Sequence, residues 1–100
     1  MKSGYRELIW SDDAIVQLQN LIKYLDLEWG QKVGNEFLHK MESWIEVIKE
    51  YPEVFPVNTK LKIKNIRRCV INKNVSLLYR LSTKRIIIYS IKDNRTNYFN

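Results

Sequence analysis

Three apolar segments in the last part of the chain are joined by links of only three residues, and these links constrain the fold most. The segments span residues 62–71, 75–81 and 85–92 and are rich in β-branched residues. They are separated by Asn72-Lys73-Asn74 and by Ser82-Thr83-Lys84, residue types that favour turns. Because parallel strands need a crossover of about a dozen residues, links this short permit only antiparallel hairpins. The sequence therefore predicts an antiparallel β meander.

Two amphipathic helices precede the meander. Ser11 offers an N-cap for the first helix, and Gly30 fits its end. Its apolar face is predicted to hold Ile15, Leu18, Ile22, Leu25 and Trp29. The second helix, from about residue 32 to 51, ends before Pro52 and carries Val33, Phe37, Met41, Trp44, Ile45 and Ile48. The short break at Gly30 predicts an antiparallel helical hairpin.

A further short strand is expected at residues 5–10, which gives the element order β-α-α-β-β-β. On the strand at 75–81, the face that carries Leu77 and Tyr79 should pack on the hairpin, because alternate side chains share a face. The predicted fold is therefore α+β, with a helical hairpin packed on an antiparallel sheet. At 100 residues, the chain should form one domain over residues 1–100.

Composition narrows the class of protein. Apolar residues make up 45% of the chain and charged residues 28%, which suits a folded domain with one core. No apolar run is long enough for a membrane span, and Cys69, the single cysteine, cannot form an internal disulfide. We therefore expect a cytoplasmic protein without a membrane partner. The sequence has no metal-ligand spacing and no glycine-rich phosphate loop, so we expect no metal and no cofactor.

The charges are divided unevenly along the chain. The first 59 residues hold six basic and ten acidic residues, whereas residues 60–100 hold eleven basic residues and Asp93 alone as an acid. The net charge of +6 thus joins a −4 segment to a +10 segment. Such a division predicts a basic surface that meets a nucleic acid or an acidic protein.

Arg67 and Arg68 are consecutive on a predicted strand, so their side chains must extend from opposite faces. The pattern around them does not decide which one lies on the side away from the helices. Whichever does should form a basic patch with Arg80 of the next strand. Guanidinium groups suit phosphate because their nitrogens match its oxygens in pairs. Arg95 and Tyr98, near the C-terminus, could lie at the rim of that patch.

Several other residues have a simpler structural interpretation. His39 is expected to be exposed or structural, and Cys69 to be a small buried residue. Tyr79 and Tyr89 are interpreted as core aromatics, as are the tryptophans, which are Trp10, Trp29 and Trp44. Lys60, Lys62 and Lys64 alternate with apolar residues and could protect an edge strand from aggregation.

The order of these segments resembles the RelE/ParE superfamily of toxins from bacterial type II toxin–antitoxin systems. The resemblance is carried by Leu8-Ile9-Trp10-Ser11, by Tyr24 with Trp29-Gly30, by Ile66-Arg67-Arg68 with Leu78-Tyr79-Arg80-Leu81, and by Ile86-Ile87-Ile88 with residues 93–97. It implies a small toxin that often stabilises plasmids and is held inactive by a cognate antitoxin, here expected to be acidic. RelE-like members cut mRNA on the ribosome, whereas ParE-like members poison DNA gyrase.

The resemblance also supplies candidate site residues. A metal-independent nuclease would use Arg67, Arg80, Arg95 and Tyr98. Binding, to an antitoxin or a target, is assigned to Lys62, Lys64, Arg67, Arg68, Arg80, Arg85 and Arg95. Ser76 stands where RelE-like members have a central arginine, and the long hairpin is typical of ParE, so the expectation leans away from a standard nuclease. A non-toxic nucleic-acid-binding module or a decayed toxin is the alternative.

Overall fold

The computed structural model describes residues 6–60 and 64–93 and confirms the α+β fold. The elements, in chain order, are β1 (Glu7–Trp10), α1 (Asp12–Trp29), α2 (Gln31–Glu50), β2 (Ile66–Val70), β3 (Val75–Leu81) and β4 (Arg85–Asp93). The two helices pack as a hairpin against one face of the sheet. In the described residues, no helix is both long enough and apolar enough to cross a membrane.

The four strands form one sheet in the order β1-β4-β3-β2. The pairs β2–β3 and β3–β4 are antiparallel, as the short links require. The expectation of a wholly antiparallel sheet is wrong, because β1 lies parallel to β4, with Leu8 opposite Ile86. The two helices between β1 and the meander form a connection long enough for parallel pairing. The sheet is therefore mixed.

The strand β2 is shorter than the predicted segment 62–71. Asn65 has a φ of 66°, in the left-handed region, and it lies with Lys64 in a turn that precedes the strand. Asparagine tolerates this region better than most residues do, since its short polar side chain can hydrogen-bond locally. Lys62 lies outside the described residues.

Helix α1 is attached to β4 by two polar side chains. The Oγ of Ser11 accepts from the backbone N–H of Ala14 at 3.0 Å, as predicted for an N-cap, and donates to the carbonyl of Tyr89 at 2.8 Å. Just beyond the end of β1, the Oε1 of Gln17 accepts from the backbone N–H of Ile91 at 2.7 Å. These bonds satisfy strand groups that β1 no longer reaches, and they fix the helix on the sheet.

The core lies between the hairpin and the sheet face that carries Leu77 and Tyr79, as predicted. The buried stripe of α1 is rotated from the predicted one, because its fully buried residues are Ala14, Leu21 and Leu25. Leu18 and Ile22 flank this core, but Ile15 is 41% exposed. The helix therefore faces the sheet along a line about one residue away from the predicted stripe.

The interpretation as a core aromatic is wrong for two residues. Trp29 is 65% exposed at the end of α1, and Tyr89 is 38% exposed. Trp10 and Trp44 are half-buried against the core, and Tyr79 is fully buried. Helical spacing alone did not reveal that Trp29 stays exposed at the end of α1.

Candidate functional site: the open face of the sheet

The face of the sheet that points away from the helices is called the open face. On β3 it carries Ser76, Leu78 and Arg80, which alternate with the core residues Leu77 and Tyr79. The strand register then assigns the neighbours of these residues to the same face. They are Ile66, Arg68 and Val70 on β2, and Ile87 and Lys92 on β4. Ser90, at the bulge, instead contacts Gln17 of α1 through its Oγ.

The register decides between the two consecutive arginines. Arg67 pairs with Tyr79 and therefore belongs to the helix side, where its Nη1 donates to the carbonyl of Phe55 at 2.6 Å and to that of Glu53 at 3.3 Å. Arg68 pairs with Leu78 and belongs to the open face. The structure does not bring Arg67 together with Arg80, because the two side chains extend from opposite faces of the sheet.

Arg68 is held in place by a buried hydroxyl. Its Nε donates to the Oγ of Ser76 at 3.0 Å, and Ser76 is only 2% exposed. This bond leaves the terminal nitrogens of Arg68 able to bind an anion. Arg80 is exposed and lies diagonally across from Arg68, so two guanidinium groups flank Leu78.

The remaining predicted site residues are dispersed. Arg85 is on the open face beside β1, where its Nε lies 3.6 Å from the Oε1 of Glu7. Lys64 is exposed in the turn before β2. Lys62, Arg95 and Tyr98 lie outside the described residues.

Sequence reasoning missed Lys92, which a β-bulge turns outward. The register between β3 and β4 shifts at Leu78/Tyr79, so that Tyr89 is an extra residue in β4. Beyond the bulge, Ile91 pairs with Leu77 in the core and Lys92 pairs with Ser76 on the open face. In an unbroken register, Lys92 would pair with Val75 on the helix side. The isoleucine at 91 was the available signal, because an apolar residue there requires the shift.

The open face combines apolar and cationic groups. Val70 is 52% exposed and offers an apolar contact, whereas Ile66 and Leu78 are 0% and 7% exposed and lie outside the core cluster beneath the helices. Four cations extend from this face in the part of the chain that the structure describes, and they are Arg68, Arg80, Arg85 and Lys92. Within the same part, the register places one carboxylate here, that of Glu7. Such a surface suits an anionic partner that also offers apolar groups.

The buried titratable groups are fixed in their neutral forms near neutral pH. Burial raises the pKa of the Cys69 thiol to about 11. Burial likewise raises the pKa of Tyr79 to about 12, although the nearby Arg67 charge and a backbone hydrogen bond from Phe55 oppose the rise. The Tyr79 hydroxyl donates to the carbonyl of Pro52 at 2.7 Å. These two groups are therefore structural.

His39 has the exposed position expected of it. Its side chain is 84% exposed on α2, and its Nδ1 lies 3.7 Å from the Oε1 of Glu42. Among residues 6–60 and 64–93, the structure has no group of three or more histidine, cysteine or carboxylate side chains placed to hold a metal ion.

Comparisons with solved structures identify the fold. A chain of the chromosomal ParDE toxin–antitoxin system from P. aeruginosa superposes with a TM-score of 0.73 at 13% identity, covering 88% of this chain and 95% of that one. A chain of the E. coli DinJ–YafQ toxin–antitoxin complex superposes with a TM-score of 0.65 at 11% identity, covering 93% of this chain and 97% of that one. A chain of the YoeB dimer from Staphylococcus aureus superposes with a TM-score of 0.63 at 16% identity, covering 89% of this chain and 97% of that one.

Comparisons at the level of sequence identify the family. A search of curated proteins finds no significant match. The family model described as the ParE toxin of the type II toxin–antitoxin system parDE matches residues 8–98, which is nearly the whole chain. The chain therefore belongs to the ParE toxin family of type II toxin–antitoxin systems.

Proposed function

We propose that this protein arrests growth by inhibiting DNA gyrase and is neutralised by an acidic antitoxin. The observation that carries the proposal is the match of residues 8–98 to the ParE toxin model. The helical hairpin adds support, because α1 and α2 have 18 and 20 residues and long helices of this kind are typical of ParE-like toxins.

The contacts of two residues favour a non-nucleolytic toxin over an mRNA endonuclease. RNA cleavage requires groups that transfer protons and groups that stabilise charge at one phosphate. Arg67 is bound to the carbonyls of Phe55 and Glu53 on the helix side of the sheet. The hydroxyl of Tyr79 donates a hydrogen bond to the carbonyl of Pro52, and burial raises its pKa to about 12. Both side chains are therefore used to hold the loop after α2.

We assign the antitoxin to the open face. Arg68, Arg80 and Lys92 would attract its carboxylates. The side chain of Val70, which is 52% exposed, would contact its apolar residues. Charges of opposite sign speed the encounter of two proteins and fix their orientation. The antitoxin should therefore carry acidic and apolar residues in the segment that covers β2 and β3.

The test is to produce the protein from an inducible promoter with and without the antitoxin gene expected beside it. We expect growth arrest that the antitoxin relieves, together with loss of negative supercoiling by purified gyrase when the toxin is added. Unaltered gyrase activity with newly cut mRNA ends would contradict the gyrase target and indicate an endonuclease. Normal growth despite soluble expression would contradict the toxin itself and favour a nucleic-acid-binding module or a decayed toxin.

A further inference from the structure

A cavity lies at the tip of the helical hairpin, on a different part of the molecule from the open face. Its volume is about 420 Å³, and it is lined by the end of α1, the first half of α2 and the β2–β3 turn. Small-molecule sites in proteins usually have volumes of about 300–1,000 Å³. The cavity is therefore large enough for a ligand the size of a nucleotide.

Aromatic and apolar side chains form one part of the cavity lining. Leu25 and Phe37 are buried and form its floor, and the rings of Tyr24 and Trp29 form part of its sides. Trp29 is 65% exposed, whereas Trp10 and Trp44 are half-buried against the core. An exposed indole beside an apolar floor offers a flat surface on which a planar ring can stack.

The mouth of the cavity has oriented amides. The Oδ1 of Asn72 accepts from the backbone N–H groups of Asn74 at 2.8 Å and of Val75 at 2.9 Å. Because these bonds occupy its oxygen, the NH₂ group of Asn72 is the part that can donate to a ligand. Asn74 lines the same side of the mouth. Carboxamides are suited to the donor and acceptor groups at the edge of a base.

One cation lines the cavity and another lies in the adjoining turn. Lys40 lines the cavity, and Lys73 is exposed between the two lining asparagines. Lys40 and Glu36 are the charged lining residues, and Lys73 adds a second positive charge in the adjoining turn. A ligand with a planar ring and a phosphate fits the combination of Trp29 with Lys40 and the neighbouring Lys73.

We propose that this cavity binds a nucleotide, with the base stacked on Trp29 and the phosphate facing Lys40 and Lys73. The nucleotide could be free in solution or an unpaired residue of a nucleic-acid strand, since both offer the same base and phosphate. This site is separate from the antitoxin surface and does not depend on gyrase as the target.

The experiment is isothermal titration calorimetry of the full chain with adenosine 5′-monophosphate, with adenosine, and with a short single-stranded oligonucleotide. We expect both phosphate-bearing ligands to bind and adenosine to bind more weakly. The Trp29→Ala variant should bind about tenfold more weakly, because an aromatic surface for stacking is lost. The Lys73→Gln variant should weaken binding of the nucleotide but not of adenosine. If the oligonucleotide binds more tightly than adenosine 5′-monophosphate, the ligand is part of a nucleic-acid strand. If the two bind equally well, the ligand is a free nucleotide.

The matched control is Leu27→Ala, which removes another exposed apolar side chain from the same end of α1 without lining this cavity. Thermal unfolding of each variant separates loss of binding from loss of fold, and exposed positions such as these should tolerate substitution. Equal binding by Trp29→Ala and the unaltered protein would overturn the proposal. So would binding of the oligonucleotide alone that Trp29→Ala leaves unchanged, which would place the interaction on the basic open face.

Discussion

Arg67 and Arg68 are neighbours in the chain, yet the sheet gives them different environments. Arg67 is on the helix side and donates to carbonyls of the loop between α2 and β2. Arg68 is on the open face, where the buried hydroxyl of Ser76 orients its guanidinium group. The comparison teaches that a basic residue on a strand is not by itself a binding residue. The face from which it extends decides whether its charge stabilises the fold or meets a partner.

The largest expected effect comes from comparing two consecutive leucines on the two faces of β3. Leu77→Ala should lower the free energy of unfolding by about 2–5 kcal/mol, because Leu77 is fully buried in the helix-side core. Leu78→Ala should cost less, about 2 kcal/mol at the low end of that range, because Leu78 is outside that cluster and 7% exposed. Urea unfolding of both variants measures the difference. A greater loss for Leu78→Ala would show that the open face holds the main core.

The next comparison concerns the two arginines themselves. Arg67→Gln should lower the free energy of unfolding by about 1–2 kcal/mol, because hydrogen bonds from a charged donor to two loop carbonyls are lost. Arg68→Gln should lower it by less and should instead weaken antitoxin binding. Denaturation and titration with the antitoxin measure the two effects. The reverse result would mean that Arg67, and not Arg68, belongs to the binding surface.

A third prediction concerns the loss of folding stability at alkaline pH. Tyr79 and Cys69 have pKa values raised to about 12 and about 11 in the folded protein, from 10.0 and 9.0. Because the folded state holds these protons more tightly, their contribution to stability is complete below pH 9 and is lost as the pH rises toward 12.

The matched variant for this prediction is Tyr79→Phe, which should cost about 1 kcal/mol near neutral pH through the lost bond to Pro52. In Tyr79→Phe, the fall in the free energy of unfolding between about pH 10 and 12 that is due to the phenol should disappear. The fall that is due to Cys69 should remain. Urea unfolding at a series of pH values measures both declines. An unchanged profile in the variant would show that another group sets the alkaline limit.

The smallest effect is expected from exposed charges. Arg80→Ala should slow association with the antitoxin several-fold at low salt, because exposed charges steer the encounter more than they stabilise the complex. The control is Lys49→Ala on α2, an element that is not part of the sheet. The Nζ of Lys49 lies 3.3 Å from the Oε2 of Glu46. Stopped-flow association rates at two salt concentrations measure the effect. An equal change in both variants would argue against the open face as the binding surface.

Much of the fold could be predicted because its signals are local. The Ser11 cap, the stop at Gly30, the proline after α2 and the short links between the last three strands each act through nearby backbone groups, so the sequence indicates them directly. The parallel pairing of β1 could not be predicted in the same way. It depends on contact with β4, nearly 80 residues away.

The candidate site was less predictable for the same reason. Its positive charge is evident from the composition of residues 60–100, but its geometry depends on register. Lys92 reaches the open face only because the bulge at Tyr89 shifts the pairing by one residue. Trp29 fits a helical stripe but lies where no strand covers it.

By itself, the sequence determined the two amphipathic helices, the hairpin-linked strands and the excess of basic residues among them. Only the tertiary structure decided which arginine is used to hold the fold, which lysine is turned outward, and which aromatic ring is left in solvent. The physical reason is that a strand offers two equivalent faces until another layer packs on one of them. Packing the helices on Leu77 and Tyr79 fixes that choice for every residue in register with them.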